Sequence, residues 1–264
     1  MNKDSIFNLF SLDDRVAIIT GGAGMLGIEY ARILSDAGAR VVLFDVKSEF
    51  VPSRGLQADY EFVDITRREE VQRAVKKVFE RYGRIDVLIN NAAMNPVPGS
   101  PESRDQFSPY EDYPEELWNK ELAVGLSGAL FCTQAVVSIM KRQRSGSIIN
   151  VSSTYGNVGP DNRIYGEGKF KSIGYAATKG AVLNFTRAWA SYLCGTGIRV
   201  NTLTPGGVSA GQKDEFVKAY EERTILGRMA EKTDYNGAIL FLASDASGYM
   251  TGANLVVDGG WTAW

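Results

Sequence analysis

Seven short β-branched runs, separated by stretches long enough for helices, constrain the fold of this chain more than any other feature: residues 15–20, 40–45, 60–64, 86–90, 147–151, 198–203 and 254–257. The runs are apolar throughout instead of alternating, as strands are when both faces of a sheet are covered. Strand and helix in alternation require parallel pairing, and right-handed crossovers then lay helices on both faces. The expectation is an α/β fold, a Rossmann-like doubly wound parallel sheet. With 264 residues, 44% of them hydrophobic, the chain is expected to form one domain over residues 1–264. Ligands of such sheets sit at the carboxyl ends of the strands.

The end of the first run carries TGGAGMLG, which leads straight into a helical stretch at residues 28–37. Gly21, Gly24 and Gly27, with Met25 and Leu26 between the last two, fall where a backbone must pass close to a pyrophosphate. A helix N-terminus there offers free N–H groups and a favourable dipole. Asp45 ends the second run at the offset where a dinucleotide fold holds an acidic residue against the ribose hydroxyls. A 2′-phosphate at that place would meet a like charge, so the expected cofactor is NAD over NADP, although Lys47 two residues on softens the contrast.

Composition removes several chemistries. The chain has no histidine, which excludes imidazole acid–base catalysis and His-rich metal sites, and no metal is expected. Its two cysteines, Cys132 and Cys194, lie in separate apolar, helix-like stretches and are expected to be buried free thiols. A net charge of −2 without basic blocks argues against nucleic acid as a partner. The opening MNKDSIFNLFSLDDR has only a brief apolar run, so neither a signal peptide nor a membrane span is expected, and the location expected is cytoplasmic.

Without histidine, proton transfer near neutral pH needs another group, and YAATK offers one. Tyr175 and Lys179 are four apart on an evident helix and share a face. Bringing a phenol from ~10 to ~7 takes about 4 kcal/mol, roughly what one cation at ~4 Å supplies at an effective dielectric of ~20. Tyr165 and Lys169 have the same spacing, but YGEGK is broken by two glycines, whereas YAATKGAVLNFTRAWA continues with helical periodicity. Tyr175 is therefore the expected acid/base.

Taken together, TGGAGMLG, the acidic strand end at Asp45, FVDIT, the NNAA run from Asn90, INVSS, YAATK, IRVNTLTPGG and LVVDGG resemble the short-chain dehydrogenase/reductase family along nearly the whole chain. The resemblance implies an NAD(P)-dependent oxidoreductase acting on CH–OH groups, with Ser153 hydrogen-bonded to the reacting oxygen beside Tyr175 and Lys179. It also implies cofactor contacts at Val46, Asp64, Ile65, Asn91, Ala92, Ala93, Pro205, Gly206 and Val208, and a homo-oligomer, tetramer or dimer, paired through helices near residues 117–140 and 175–193. Three positions depart from the family. Met25 replaces a glycine of the turn. Gly125 stands where an asparagine anchors a water-mediated proton relay, which implies either an altered relay or a packing constraint. Ala210 stands where a threonine often meets the nicotinamide carboxamide, and that role stays unassigned.

Two polar intervals, residues 94–114 and 155–174, exceed what strand-to-helix connections need and are expected to overhang the cofactor; the second reads as an insertion between serine and tyrosine. They supply Asn95, Tyr155, Asn157, Asp161, Asn162, Arg163 and Tyr165, a set suited to hydroxyl groups, with Asn95, Tyr155 and Arg163 as the candidate substrate contacts. Arg163, Lys169 and Lys171 are also candidates for a phosphate or carboxylate. The expected small-molecule substrate is a sugar, polyol or sugar derivative, and the insertion is similar to those of bacterial sugar and flagellin-glycan dehydrogenases. Two other readings stay open: a weakly catalytic NAD-binding sensor or scaffold, which Gly125 and Ala210 invite, and a nucleotide-sugar epimerase or dehydratase, which TGxxGxxG invites.

Overall fold

The computed structural model describes residues 3–48, 50, 55–95 and 105–264. After a helix α1 (Lys3–Phe10), the chain runs β1 (Val16–Thr20), α2 (Met25–Asp36), β2 (Arg40–Asp45), β3 (Ala58–Phe62), α3 (Arg68–Tyr82) and β4 (Val87–Asn90). It continues through α4 (Glu115–Leu122), α5 (Gly128–Gln143), β5 (Gly146–Val151), a short α6 (Thr154–Asn157), α7 (Ile173–Tyr192), β6 (Ile198–Pro205), α8 (Asp214–Glu221), α9 (Asn236–Ala243) and β7 (Asn254–Val257). The seven strands form one sheet in the order β3-β2-β1-β4-β5-β6-β7, parallel at every pairing. Strand order reverses between β1 and β4, which opens a crevice at their carboxyl ends.

Side chains alternate between the two faces of each strand and feed two cores. Val16 and Ile18 of β1 join Val71, Val75 and Val78 of α3 and Val136 and Met140 of α5 on one face. Ala17 and Ile19 join Tyr30 and Leu34 of α2 and Ile239 and Leu242 of α9 on the other. Both faces are covered, as the uninterrupted apolar runs require.

Three boundaries depart from expectation. β3 lies two residues earlier than residues 60–64, because pairing with β2 runs from Val41↔Ala58 to Asp45↔Phe62. As an edge strand it carries Asp59 and Glu61, which meet Arg81 and Lys77 of α3 at 2.7 Å each. Charge there reflects the edge position, not the absence of a strand. Glu115–Gln143 forms one long rod, apolar enough by composition to span a bilayer but packed here against α3 and α7, and its centre (Ala123–Ser127) widens into a π-type turn. Cys194 is exposed, contrary to expectation, because α7 ends at Tyr192 and the chain turns through Gly195 and Gly197; Cys132 is buried, and burial pushes its thiol up to about 12. Pro96, Pro98 and Pro101 lie outside the described residues, as do residues 96–104 of the first long interval.

Candidate active site

One cavity of about 650 Å³ occupies the crevice beyond β1 and β4. Its outer half is built by the glycine turn. Gly21 has φ +61°, and a Cβ there would lie 2.8 Å from the Cα of Ala92, so the position needs glycine both for conformation and for the approach of the β4 loop. A Cβ on Gly27 would lie 2.4 Å from the Gly21 carbonyl; this glycine seats α2 on the turn and does not line the cavity, unlike the contact expected of it. Gly24 caps α2 without any side-chain hydrogen bond, leaving the helix N-terminus to face the cavity beside Met25 and Leu26. Met25 is 41% exposed at the rim, which is why the turn accepts it in place of glycine.

Asp45 anchors the next wall. One carboxylate oxygen accepts the N–H of Ala23 at 2.9 Å and the other accepts those of Val46 and Lys47 at 2.8 and 3.2 Å. Lys47 is tethered to the Ala23 carbonyl at 2.9 Å, beside the cavity. Asp64 is fixed by Thr66, and Asn91 ties the β1 and β4 ends together through the Thr20 and Gly21 carbonyls at 3.0 and 3.1 Å. Val46, Ile65, Ala92, Ala93, Pro205, Gly206 and Val208 complete this half, so every cofactor residue expected from the sequence except Gly27 lines one cavity.

The inner half holds Ser153, Tyr175 and Lys179. Ser153, just beyond the end of β5, caps α6 by accepting the N–H of Tyr155 and lies beside the Tyr175 phenol, whose pKa it acts to lower. Ser152, its neighbour, donates to the Lys179 carbonyl at 2.7 Å and pins α7 to β5. Lys179 is buried, donates to the Val151 carbonyl at 2.6 Å and lies 5.6 Å from the centre of the Tyr175 ring. Burial lowers its ammonium to about 8, so it carries charge at neutral pH.

The phenol does not follow the electrostatic expectation. Burial raises Tyr175 above its ordinary value of 10, the Ser153 hydrogen bond works against that rise, and the Glu121 carboxylate adds to it. Desolvation opposes the anionic phenolate more strongly than one lysine at this distance favours it. Tyr175 is therefore a neutral O–H, a proton donor.

Lys171, a candidate anion contact from its sequence, lines the cavity, whereas nothing local in the sequence marks Glu121 as part of the site. Glu121, buried on α4, accepts hydrogen bonds from Gln106, Tyr113 and Ser172 at 2.6–2.7 Å. Ser172 in turn caps α7 by accepting the Tyr175 N–H at 2.9 Å, so this carboxylate sets where the tyrosine stands. The only sequence signal was a serine three residues before the tyrosine at a helix start.

Asn95 and Tyr155 reach the cavity as expected, and Tyr165 joins them, donating to the Tyr155 hydroxyl at 2.9 Å. Arg163 does not: its side chain is 74% exposed and pairs with Asp161 at 2.7 Å. Asp161 also engages Arg223 at 3.2 Å, Asn157 pairs with Asn254, and Lys169 is exposed, so these polar residues hold the insertion together or face solvent. The remaining inner wall is Phe216, Tyr220 and Met229, backed by Trp261 stacked on Tyr220 at 4.3 Å. Gln212 lines the cavity beside Ala210 and holds that loop by accepting the Ala210 N–H and donating to the Val208 carbonyl.

Gly125 is explained by packing: a Cβ there would lie 2.4 Å from the Thr178 methyl on α7. It also borders a void of about 10 Å³ shared with Asn90, Asn150 and Lys179, and the buried Asn90 Oδ1 has no hydrogen-bond partner among the described residues.

Residues 22–262 match the family model described as Enoyl-(Acyl carrier protein) reductase. The chain is 35% identical to the 3-oxoacyl-[acyl-carrier-protein] reductase of Thermotoga maritima, with 94% of this chain and 98% of that protein covered. A gluconate 5-dehydrogenase from Burkholderia cenocepacia J2315, solved with NADP and tartrate, superposes with a TM-score of 0.86 at 30% identity, covering 98% of this chain and 99% of that one. A short-chain dehydrogenase from Leptospira borgpetersenii with bound NAD+ also gives 0.86, at 32% identity, over 99% and 96%. This chain belongs to the short-chain dehydrogenase/reductase family. It is an alcohol/ketone oxidoreductase of nicotinamide-cofactor type.

Proposed function

We propose that the protein is an NAD-dependent dehydrogenase/reductase that interconverts a secondary alcohol and a ketone with Tyr175 as acid/base. One observation carries the reading: a single cavity joins the glycine turn and Asp45 at one end to Ser153, Tyr175 and Lys179 at the other. The uncapped α2 N-terminus fits a pyrophosphate and Asp45 a pair of ribose hydroxyls. The dinucleotide, when bound, supplies or accepts the hydride. Tyr175 gives the proton to the carbonyl oxygen on reduction, and burial keeps its hydroxyl protonated for that step. Ser153 donates to the same oxygen as charge develops, and Lys179 holds a positive charge beside the phenol.

Asp45 favours NAD because a 2′-phosphate would face its carboxylate. The aromatic inner wall favours an alcohol carried on a ring, a cyclic sugar derivative included, over an open polyol. An exposed apolar groove between α5 and α7, with Leu130, Val137, Phe185, Trp189 and Tyr192, supports a homo-oligomer, dimer or tetramer, and the composition supports a cytoplasmic location. The Thr178 contact accounts for Gly125, which leaves the sensor reading on Ala210 alone, and the epimerase reading gains no observation beyond the glycine turn.

The test is fluorescence titration with NADH and NADPH, followed by cofactor turnover on a panel of cyclic sugars, polyols and ketones. NADH is expected to bind roughly tenfold or more tighter than NADPH, with Asp45→Ala narrowing the gap. Failure to bind either dinucleotide overturns the proposal. Substrate conversion with the cofactor retained and no net change in its redox state supports the epimerase instead.

A further inference from the structure

The inner wall holds a second buried ammonium that the proposed chemistry leaves unused. Lys171 precedes α7 and is only 6% exposed, yet its side chain lines the cavity. Its backbone is clamped on both sides: the N–H donates to Asn162 Oδ1 at 2.9 Å and the carbonyl accepts from the Tyr110 hydroxyl at 3.1 Å. Nζ lies 4.3 Å from the centre of the Tyr175 ring and 5.5 Å from that of Phe107, and donates to Asn95 Oδ1.

An ammonium has three donors, and among the described residues this one uses one of them. Charge balance is equally incomplete. The charges acting on it are Glu121, which attracts, and Lys179, which repels. Glu121 has both oxygens engaged by Gln106, Tyr113 and Ser172. A buried, unpaired charge is costly, and a fold that needed only an apolar stem here would be served by methionine. The wall around it is largely aromatic, with Tyr155, Tyr165, Phe216 and Tyr220, so this cation is the feature that distinguishes the subsite.

On the reading that Tyr175 is the acid/base of this cavity, we propose that Lys171 receives a carboxylate carried by the substrate, so that the enzyme acts on a ring-bearing hydroxy or keto acid. The carbinol carbon lies at Tyr175, the ring lies against Tyr155, Tyr165 and Phe216, and the carboxylate meets Lys171 beside Asn95. The carboxylate is unchanged in the reaction; in the reducing direction the ketone carbon takes a hydride from the dinucleotide and the oxygen takes the proton of the neutral Tyr175 hydroxyl, leaving the secondary alcohol and a phenolate beside Lys179. A single ammonium with Glu121 nearby suits a monoanion and disfavours a phosphate dianion.

Calorimetric titration of the NADH-saturated protein with benzoate, benzamide and phenyl phosphate tests this. Benzoate is expected to bind about tenfold or more tighter than benzamide to the wild type, with the ratio falling to near one in Lys171→Met and persisting in Tyr175→Phe. Lys171→Gln serves if the methionine variant does not fold. Equal behaviour of benzoate and benzamide in the wild type, binding of neither included, overturns the proposal. So does a ratio that survives loss of the ammonium, or a preference for phenyl phosphate. Loss of NADH binding by the wild type would instead refute the dehydrogenase reading, so the two failures are distinct.

Discussion

Replacing Gly125 by alanine tests whether packing, not chemistry, selected glycine in the middle of the Glu115–Gln143 rod. The added Cβ would stand 2.4 Å from Thr178 Cγ2, where ordinary contact begins at 3.4 Å. Thr178 is 3% exposed and precedes Lys179, so α7 cannot retreat without moving that lysine. Overpacking of this kind costs about 1–3 kcal/mol, and the helical advantage of alanine over glycine returns about 1 kcal/mol. Because α7 cannot retreat, the overpacking falls in the upper part of that range, about 2–3 kcal/mol, and Gly125→Ala should destabilise the protein by roughly 1–2 kcal/mol in urea unfolding at a fixed protein concentration. Thr178→Ser removes the clashing methyl, and the double variant should recover most of the loss as a favourable coupling. A Gly125→Ala protein as stable as the wild type, or a double variant showing no coupling, would refute the reasoning.

Lys171→Met should raise stability at pH 7 by up to about 3 kcal/mol, because burial lowers the ammonium from 10.5 to about 8 and methionine keeps the stem without the charge. The folded value is depressed, so the unfolded chain binds more protons between about 8 and 10.5. The penalty is full below that window and fades as pH rises through it, and the advantage of the variant should shrink accordingly; an advantage constant with pH would contradict the assignment. Ser172→Ala removes the hydroxyl that caps α7 and should cost about 1 kcal/mol, lowering turnover more than NADH affinity. A thiol reagent should label Cys194 in the native protein and reach Cys132 only on unfolding, as mass spectrometry would show.

The sheet was legible because its strands are buried on both faces and announce themselves as uninterrupted apolar runs. β3 was misplaced by two residues where that condition fails, at an edge that puts Asp59 and Glu61 among its residues. The dinucleotide half of the site was legible for a related reason: the glycine turn and Asp45 occupy fixed offsets along one βαβ unit. The inner half depends on contacts between distant segments. Glu121 reaches Ser172 across 51 residues, and Lys171 meets Asn95 across 76, pairings that no local pattern encodes. Arg163 misled for the converse reason, since its local partner Asp161 captures it before it can turn inward. The phenol was misjudged because a pairwise charge estimate omits desolvation, which depends on how dry the finished cavity is.

The central claim is that the Tyr175 hydroxyl delivers the proton. Its most direct test is single-turnover oxidation of bound NADH by a ring-bearing keto acid in the wild type, Tyr175→Phe and Tyr165→Phe, with NADH affinity measured in each. Tyr175→Phe should bind NADH normally and lose about 10²–10⁴-fold in rate, while Tyr165→Phe stays within roughly tenfold of the wild type. Undiminished turnover in Tyr175→Phe, or the larger loss in Tyr165→Phe, would contradict the account.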